Sequence, residues 1–267
     1  MSEPLDFSHD QVRAGDLNIH VVSLVGNGPR IVLLHGIGMD WRVWQAISRR
    51  LRRSFSPMMI DLRGHGESDK PSHGYTLGHY ASNVEEILDR LGIYGVILAG
   101  SSLGGMVSAV VEAPRDVVTH RVLIDPPLTG GPIRDEATFR DILRLKHQPI
   151  ERLIEYLRVD NPGAGNHLLR AMSEMWRATS DGVIEDMLAR PRDYYDIDSS
   201  LRSIDSPTLL MRADASKGGI LSAEQADRAL RLLSAGTVVE IEGSGHAIHA
   251  TKPAEFVSLT EQFAMTQ

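Results

Sequence analysis

Gly95-Val96-Ile97-Leu98-Ala99-Gly100-Ser101-Ser102-Leu103-Gly104-Gly105-Met106-Val107 is the stretch that decides how this chain is read. Val96 to Ala99 is a short apolar run with the length and composition of a buried strand. From Gly105 to Ala113 the residues suit a helix, which Pro114 stops. Between them lies G-x-S-x-G, Gly100 to Gly104. A strand, a sharp turn and a helix in that order hold a serine where its hydroxyl is exposed at the carboxyl edge of a sheet. The glycines tolerate a strained turn and let strand and helix approach closely. Ser102 then stands at a helix N-terminus, where backbone amides and the helix dipole favour an anion.

Outward from this stretch, the chain alternates strand and helix signals. On the N-terminal side, residues 11–25 read as an antiparallel pair, with Ala14-Gly15-Asp16 as the turn. Ile31-Val32-Leu33-Leu34 is a continuous apolar strand of the kind buried inside a parallel sheet. His35-Gly36-Ile37-Gly38 follows it directly. A two-glycine loop at a strand's carboxyl end can turn a backbone amide inward, and acyl transfer needs such donors aimed at a developing oxyanion. Ile37 N–H is the expected donor here, with His35 holding the loop. Trp41 to Arg53 has amphipathic helical spacing. A strand over Phe55 to Ile60 is interrupted by Pro57. Asp61-Leu62-Arg63-Gly64-His65-Gly66-Glu67-Ser68 is a polar turn whose His65 is assigned a structural or surface role, and Tyr75 to Leu91 forms a long helix.

On the C-terminal side, His120 to Ile124 is a strand ending in Asp125-Pro126-Pro127. Alternation then stops. Four helical segments, Thr138 to Lys146, Ile150 to Val159, Leu168 to Ala178 and Gly182 to Ala189, carry the chain to about Ser200. Residues 130–200 are therefore read as a helical cap inserted into a core made of residues 1–129 and 201–267. Strand signals resume at Thr208 to Met211. A helix over Ala223 to Leu233, a strand over Thr237 to Ile241, the loop Gly243-Ser244-Gly245-His246 and a closing helix from Pro253 complete the chain. The expected architecture is α/β, a mostly parallel sheet flanked by helices with the helical cap inserted.

Bulk properties fit one α/β domain with an insertion: 267 residues, 42% hydrophobic, formal charge -7. No basic run appears, so nucleic acid is not an expected partner. The absence of cysteine excludes disulfides, thiolate metal sites and a cysteine nucleophile. No apolar run reaches membrane-spanning length and residues 1–6 lack a leader pattern, so a cytoplasmic protein with no membrane partner is expected. The oligomeric state is not legible.

Four motifs together, HGIG, DLRGHGES, GSSLG and GSGH, each following a strand and in this order, resemble the α/β-hydrolase superfamily over nearly the whole chain. The resemblance implies a serine hydrolase with Ser102 as nucleophile, Ile37 and Leu103 N–H as oxyanion donors, and no cofactor or metal. It implies a small-molecule carboxylic ester or lactone as substrate. C–C bond hydrolases, lyases, cofactor-free dioxygenases and weakly catalytic receptors share the fold and stand as alternatives. A serine hydroxyl needs a base, and His246, downstream on a glycine-bearing loop, is the candidate. His249 is expected to pack or hydrogen-bond locally.

The histidine needs a carboxylate to fix its tautomer. In most relatives the acid follows a pattern like P-T-L-L-x-x-G-x-x-D. Laid on Pro207-Thr208-Leu209-Leu210, that pattern puts Ser216 at the acid position, and serine cannot carry the charge. Asp125, at the end of the strand after the nucleophile unit, is the first choice, because some superfamily members place the acid there. Asp214, two residues before Ser216, is the alternative. Gly36, Met172, Trp176 and Tyr194 are expected to line the substrate pocket, with Met175 and Tyr195 as further lining residues.

Overall fold

The structure, a computed structural model, describes residues 7–128, 136–161, 163–189 and 197–265. Its sheet has eight strands: β1 (Ser8–Ala14), β2 (Leu17–Ser23), β3 (Arg30–Leu34), β4 (Ser56–Ile60), β5 (Val96–Ser101), β6 (Val118–Ile124), β7 (Thr208–Ala213) and β8 (Gly236–Ile241). Their order is β1-β2-β4-β3-β5-β6-β7-β8. The first two pairings, β1–β2 and β2–β4, are antiparallel, and all others are parallel. The chain runs from β3 outward to β4 and then returns to the other side of β3 as β5. That reversal opens a crevice at the carboxyl ends of β3 and β5, the usual place for a ligand in an open α/β sheet.

Helices cover both faces. They are α1 (Gln45–Leu51), α2 (Leu77–Arg90), α3 (Leu103–Val110), α4 (Glu136–Leu145), α5 (Ile150–Asp160), α6 (Asn166–Ala178), α7 (Asp181–Ala189), α8 (Asp198–Ser203), α9 (Ala223–Leu232), α10 (Ile248–Thr251) and α11 (Pro253–Ala264). Successive side chains of a strand point to opposite faces, so Ile31-Val32-Leu33-Leu34 feeds two cores. Val32 and Leu34 join α2, α3 and α9 on one face. Ile31 and Leu33 join α1 and α11 on the other, around Trp44 and Phe256. A continuous apolar run is what such a doubly covered strand requires.

Helices α4 to α7 lie in sequence between β6 and β7 and have their own apolar cluster, formed by Phe139, Ile142, Leu153, Leu169, Trp176 and neighbours. Ile37 and Met39, from the loop after β3, pack against this cluster. Tyr194 and Tyr195 lie outside the described residues. Pro57 does not interrupt β4. It sits at the strand's second residue, opposite Ile31 on β3, and its carbonyl accepts from Leu24 N–H. Near a strand's start, proline removes no donor that the ladder cannot spare. The helix after the turn begins at Leu103 and ends at Val110, earlier at both ends than its sequence signals suggest.

His65 is buried rather than on the surface. Its Nδ1 bonds Arg63 carbonyl at 3.0 Å and its ring lies edge-on to His35 at 5.0 Å. The loop after β4 folds inward because Asp61 organises it, accepting at 2.7 Å from both Trp41 N–H and the His20 ring, and from Glu67 N–H at 3.0 Å. Burial alone would raise the Asp61 pKa, but these donors and the nearby His35 hold it below the usual carboxylate value.

Candidate active site

Ser102 closes the turn between β5 and α3 with φ +54°, in the left-handed region that side chains rarely occupy. Close approach explains the flanking glycines. A Cβ on Gly100 would stand 2.0 Å from Gly104 carbonyl oxygen, and one on Gly104 would stand 2.2 Å from Leu34 carbonyl oxygen. Strand, helix and the loop after β3 thus meet backbone to backbone. Ser102 N–H donates to Ile124 carbonyl at 3.0 Å, which ties the turn to the end of β6.

The loop after β3 lies against the serine. A Cβ on Gly36 would approach Ser102 Cβ to 3.3 Å and Oγ to 3.9 Å. Met39 N–H donates to Gly36 carbonyl at 3.2 Å, closing a turn around Ile37 and Gly38. Buried His35 holds the loop from below. Its Nε2 accepts from Leu62 N–H at 2.9 Å, which leaves Nδ1–H to donate to Gly36 carbonyl at 2.8 Å. Burial pushes the His35 pKa down, so the ring stays neutral and keeps this donor–acceptor polarity. Leu103 opens α3, where the first amides have no intrahelical acceptor.

Asp125 follows β6 immediately and, like Ser102, has positive φ (+44°). Its carboxylate is fully buried and accepts four hydrogen bonds. Oδ1 takes Ala213 N–H at 3.1 Å and Leu221 N–H at 3.2 Å, while Oδ2 takes Ile220 N–H at 2.9 Å and His246 Nδ1 at 2.7 Å. His246 keeps 28% of its side chain exposed while the Asp125 side chain is sealed. Such a pairing fixes the ring with Nδ1–H toward Asp125 and leaves Nε2 as an acceptor.

Asp214 is elsewhere. It is exposed and caps its own turn, accepting from Ser216 N–H at 2.8 Å and Gly243 N–H at 3.0 Å. Its bonds to Ser216 and then Gly243 lower its pKa. Its own N–H donates to Ser244 carbonyl at 3.2 Å. Asp214 therefore clamps the loop that carries His246, whereas Asp125 touches the imidazole. His249 packs against Trp44 with ring centroids 4.2 Å apart. Burial, followed by the nearby His246, lowers its pKa to about 3.

Trp176 of α6 comes down onto the glycine loop, where a Cβ on Gly38 would meet three of its ring carbons at 2.4 Å. Met172 and Met175 belong to the same helix; Met175 is buried, and Met172 packs against the α4–α7 cluster. Sequence reasoning missed Glu174, whose Oε2 lies 3.9 Å from Arg42 Nη1, and the role of Asp61 under the loop. Helical spacing alone does not show which face of α6 looks toward the sheet.

Comparison with known proteins agrees with this architecture. A model of the alpha/beta hydrolase family matches residues 31–259. The 2-(acetamidomethylene)succinate hydrolase of Mesorhizobium japonicum is 28% identical over 240 residues, 85% of each chain. The solved structure of an N-formylmaleamic acid deformylase from Pseudomonas putida superposes with a TM-score of 0.81 at 20% identity, covering 95% of this chain and all of that one. An esterase from Exiguobacterium antarcticum superposes with a TM-score of 0.79 at 21% identity, covering 96% of this chain and 99% of that one. With the family's motifs spaced along a doubly covered, mostly parallel sheet and its model spanning most of the sequence, this chain belongs to the α/β-hydrolase family.

Proposed function

We propose that the protein hydrolyses a small carboxylic ester or lactone through an acyl-enzyme formed on Ser102, with His246 as base and Asp125 as the acid of the triad. The observation that carries this proposal is the 2.7 Å bond between His246 Nδ1 and the sealed, four-fold bonded Asp125 carboxylate. A carboxylate so placed sets the tautomer that a general base needs and stabilises the imidazolium formed when the base takes a proton. Ser102 Oγ attacks the carbonyl carbon and its proton passes to His246 Nε2. The carbonyl electron pair moves onto oxygen, where the Ile37 and Leu103 amides receive the charge. As the tetrahedral adduct collapses, the C–O bond to the alcohol breaks and His246 returns the proton to the leaving oxygen. Water, deprotonated by the same histidine, then releases the acid and restores Ser102.

In this proposal residues 130–200 act as a cap over a core of residues 1–129 and 201–267, with Gly36, Met172, Trp176 and Tyr194 at the pocket. Methionine and aromatic side chains offer adaptable apolar contact area. The names of the relatives span hydrolases of several kinds, an esterase among them. Labelling with a fluorophosphonate probe tests the nucleophile. Wild type should label and Ser102→Ala should not; equal labelling of both removes Ser102 from the mechanism. A panel of nitrophenyl esters and lactones, followed by acid release, then tests the substrate class. Turnover of neither would refute it.

A further inference from the structure

The oxyanion loop does not rest on the α/β core alone. Gly38 has φ +73°, and its Cα hydrogen faces the indole of Trp176 so closely that even a methyl group there would stand 2.4 Å from Cδ2, Cε2 and Cε3. Contact with those three atoms at once means that the fused edge of the ring lies flat on the peptide chain. Trp176 is only 5% exposed and is backed by Phe139, whose ring centroid is 6.2 Å away in an edge-on arrangement. On either side of Gly38, Ile37 and Met39 pack against the α4–α7 cluster, and Ile37 also packs against the core beneath it.

The ends of this contact are fastened. On the loop side, Asp40 caps the turn that follows by accepting Arg42 N–H at 2.9 Å, and Asp61 holds Trp41 N–H at 2.7 Å. Arg42 in turn reaches Glu174 on α6. On the helix side, Ser180, just beyond α6, donates its N–H to Gly64 carbonyl at 2.7 Å, and the buried Lys146 ammonium bonds Asp181 at 2.7 Å. The helix that carries the indole is thus tied to the core at Gly64 as well as beside the loop at Arg42.

From this geometry we infer that Trp176 is a positioning residue for the oxyanion hole: by pressing on Gly38 it fixes the direction of the neighbouring Ile37 N–H. The inference rests on Ile37 being an oxyanion donor, as proposed above. Glycine on both sides of Ile37, at 36 and 38, leaves the loop soft, so an external surface is needed to hold the amide at one angle. Misplacing a catalytic donor by about 1 Å is enough to cost roughly 100-fold in rate. The α4–α7 insertion therefore sets the chemistry of the site as well as its access.

The test compares Trp176→Ala, Trp176→Leu and Trp176→Phe with wild type on a nitrophenyl ester, after thermal melts show which variants are folded at the assay temperature. A trifluoromethyl ketone provides the second readout. Ser102 Oγ adds to its carbonyl carbon, the proton passes to His246, and the resulting oxyanion sits where that of the ester adduct would. If Trp176 positions the donor, Trp176→Leu and Trp176→Ala lower kcat by roughly 30- to 100-fold with KM within about threefold, and the ketone inhibition constant rises in step with the loss of kcat/KM. Trp176→Phe, which keeps a flat face on Gly38, recovers most of the rate. A rise in KM with kcat held, or a Phe variant no better than Leu, means that Trp176 only lines the pocket and overturns the inference. Should Trp176→Ala fail to fold, the Leu and Phe pair carries the same comparison. Failure of the underlying mechanism is recognised separately, because Ser102→Ala would then still label and the ketone would not inhibit wild type.

Discussion

Asp125→Asn is the most searching perturbation of this site, because the surrounding donors dictate what the new amide must do. Asparagine is nearly isosteric and tolerates the positive φ at this position. Its NH2, however, must replace one of two oxygens, each of which accepts two hydrogen bonds. At the Oδ1 position it would face two backbone donors, Ala213 and Leu221 N–H. At Oδ2 it faces one, Ile220 N–H, together with the His246 ring. The second orientation is therefore the less costly, and it forces His246 Nδ1 to become an acceptor. Nε2 then carries the proton and cannot take one from Ser102.

One amide loses its acceptor and the remaining bonds lose their charge assistance, so stability should fall by about 2–3 kcal/mol. For a chain of this size that corresponds to a melting point lower by about 5–10 °C. A histidine held in the wrong tautomer costs about 10⁴-fold in kcat, or about 5.5 kcal/mol of barrier. Ester turnover at 25 °C, with folding checked by circular dichroism, reads both effects. Asp214→Asn is the companion variant. Because Asp214 clamps the loop and does not touch the imidazole, its kcat should stay within about threefold of wild type. A folded Asp125→Asn enzyme within about tenfold of wild type, or an Asp214→Asn enzyme as impaired as Asp125→Asn, would refute the assignment.

Two further outcomes follow from the same geometry. His249 is buried and neutral with a pKa near 3, and among the described residues its Nδ1 has no partner. The unfolded histidine binds a proton below about pH 6.5 while the folded one does not, so His249 lowers stability as pH falls from about 6.5 toward 3, by about 2 kcal/mol at pH 5. His249→Phe should be less acid-sensitive than wild type in urea melts at pH 7 and pH 5; an unchanged difference between the two pH values would show that this ring does not set the acid limb. Gly104→Ala would drive a methyl group into Leu34 carbonyl, with backbone on both sides of the collision. It should cost more than about 2 kcal/mol in a urea melt and slow fluorophosphonate labelling. Wild-type behaviour in both would contradict the backbone contact between α3 and the loop after β3.

Much of this fold is local information, and that part is legible in the sequence. Ile31 to Leu34 and Val96 to Ala99 announce buried parallel strands by composition, and Gly100 and Gly104 mark the close turn. The helices of 136–189 show their periodicity. What the sequence leaves open is which distant residues meet. Asp125 and Asp214 both end strands and both precede turns, and nothing local separates them. The choice depends on where a loop 121 residues away delivers His246, and on β7 running two residues beyond Met211, which leaves Asp214 capping its own turn. The surroundings of His65 and His249 are hidden for a related reason. Local sequence does not show which ring covers a histidine: His35 lies edge-on to His65, and Trp44 packs on His249. The contact of Trp176 with Gly38 is likewise invisible, since it joins two elements 138 positions apart (176 against 38).

The backbone at Ser102 has a consequence for how such a protein can be altered. A side chain held at φ +54° is under strain of about 1–3 kcal/mol, which only the surrounding contacts maintain. Glycine would occupy the same turn without that strain. The substitution that most relaxes the chain at this point is thus the one that deletes the hydroxyl, so under the proposed mechanism a library ranked by thermal tolerance alone would favour inert variants. Selection for robustness and selection for turnover pull against each other at one residue, and any improvement in endurance has to be sought away from it.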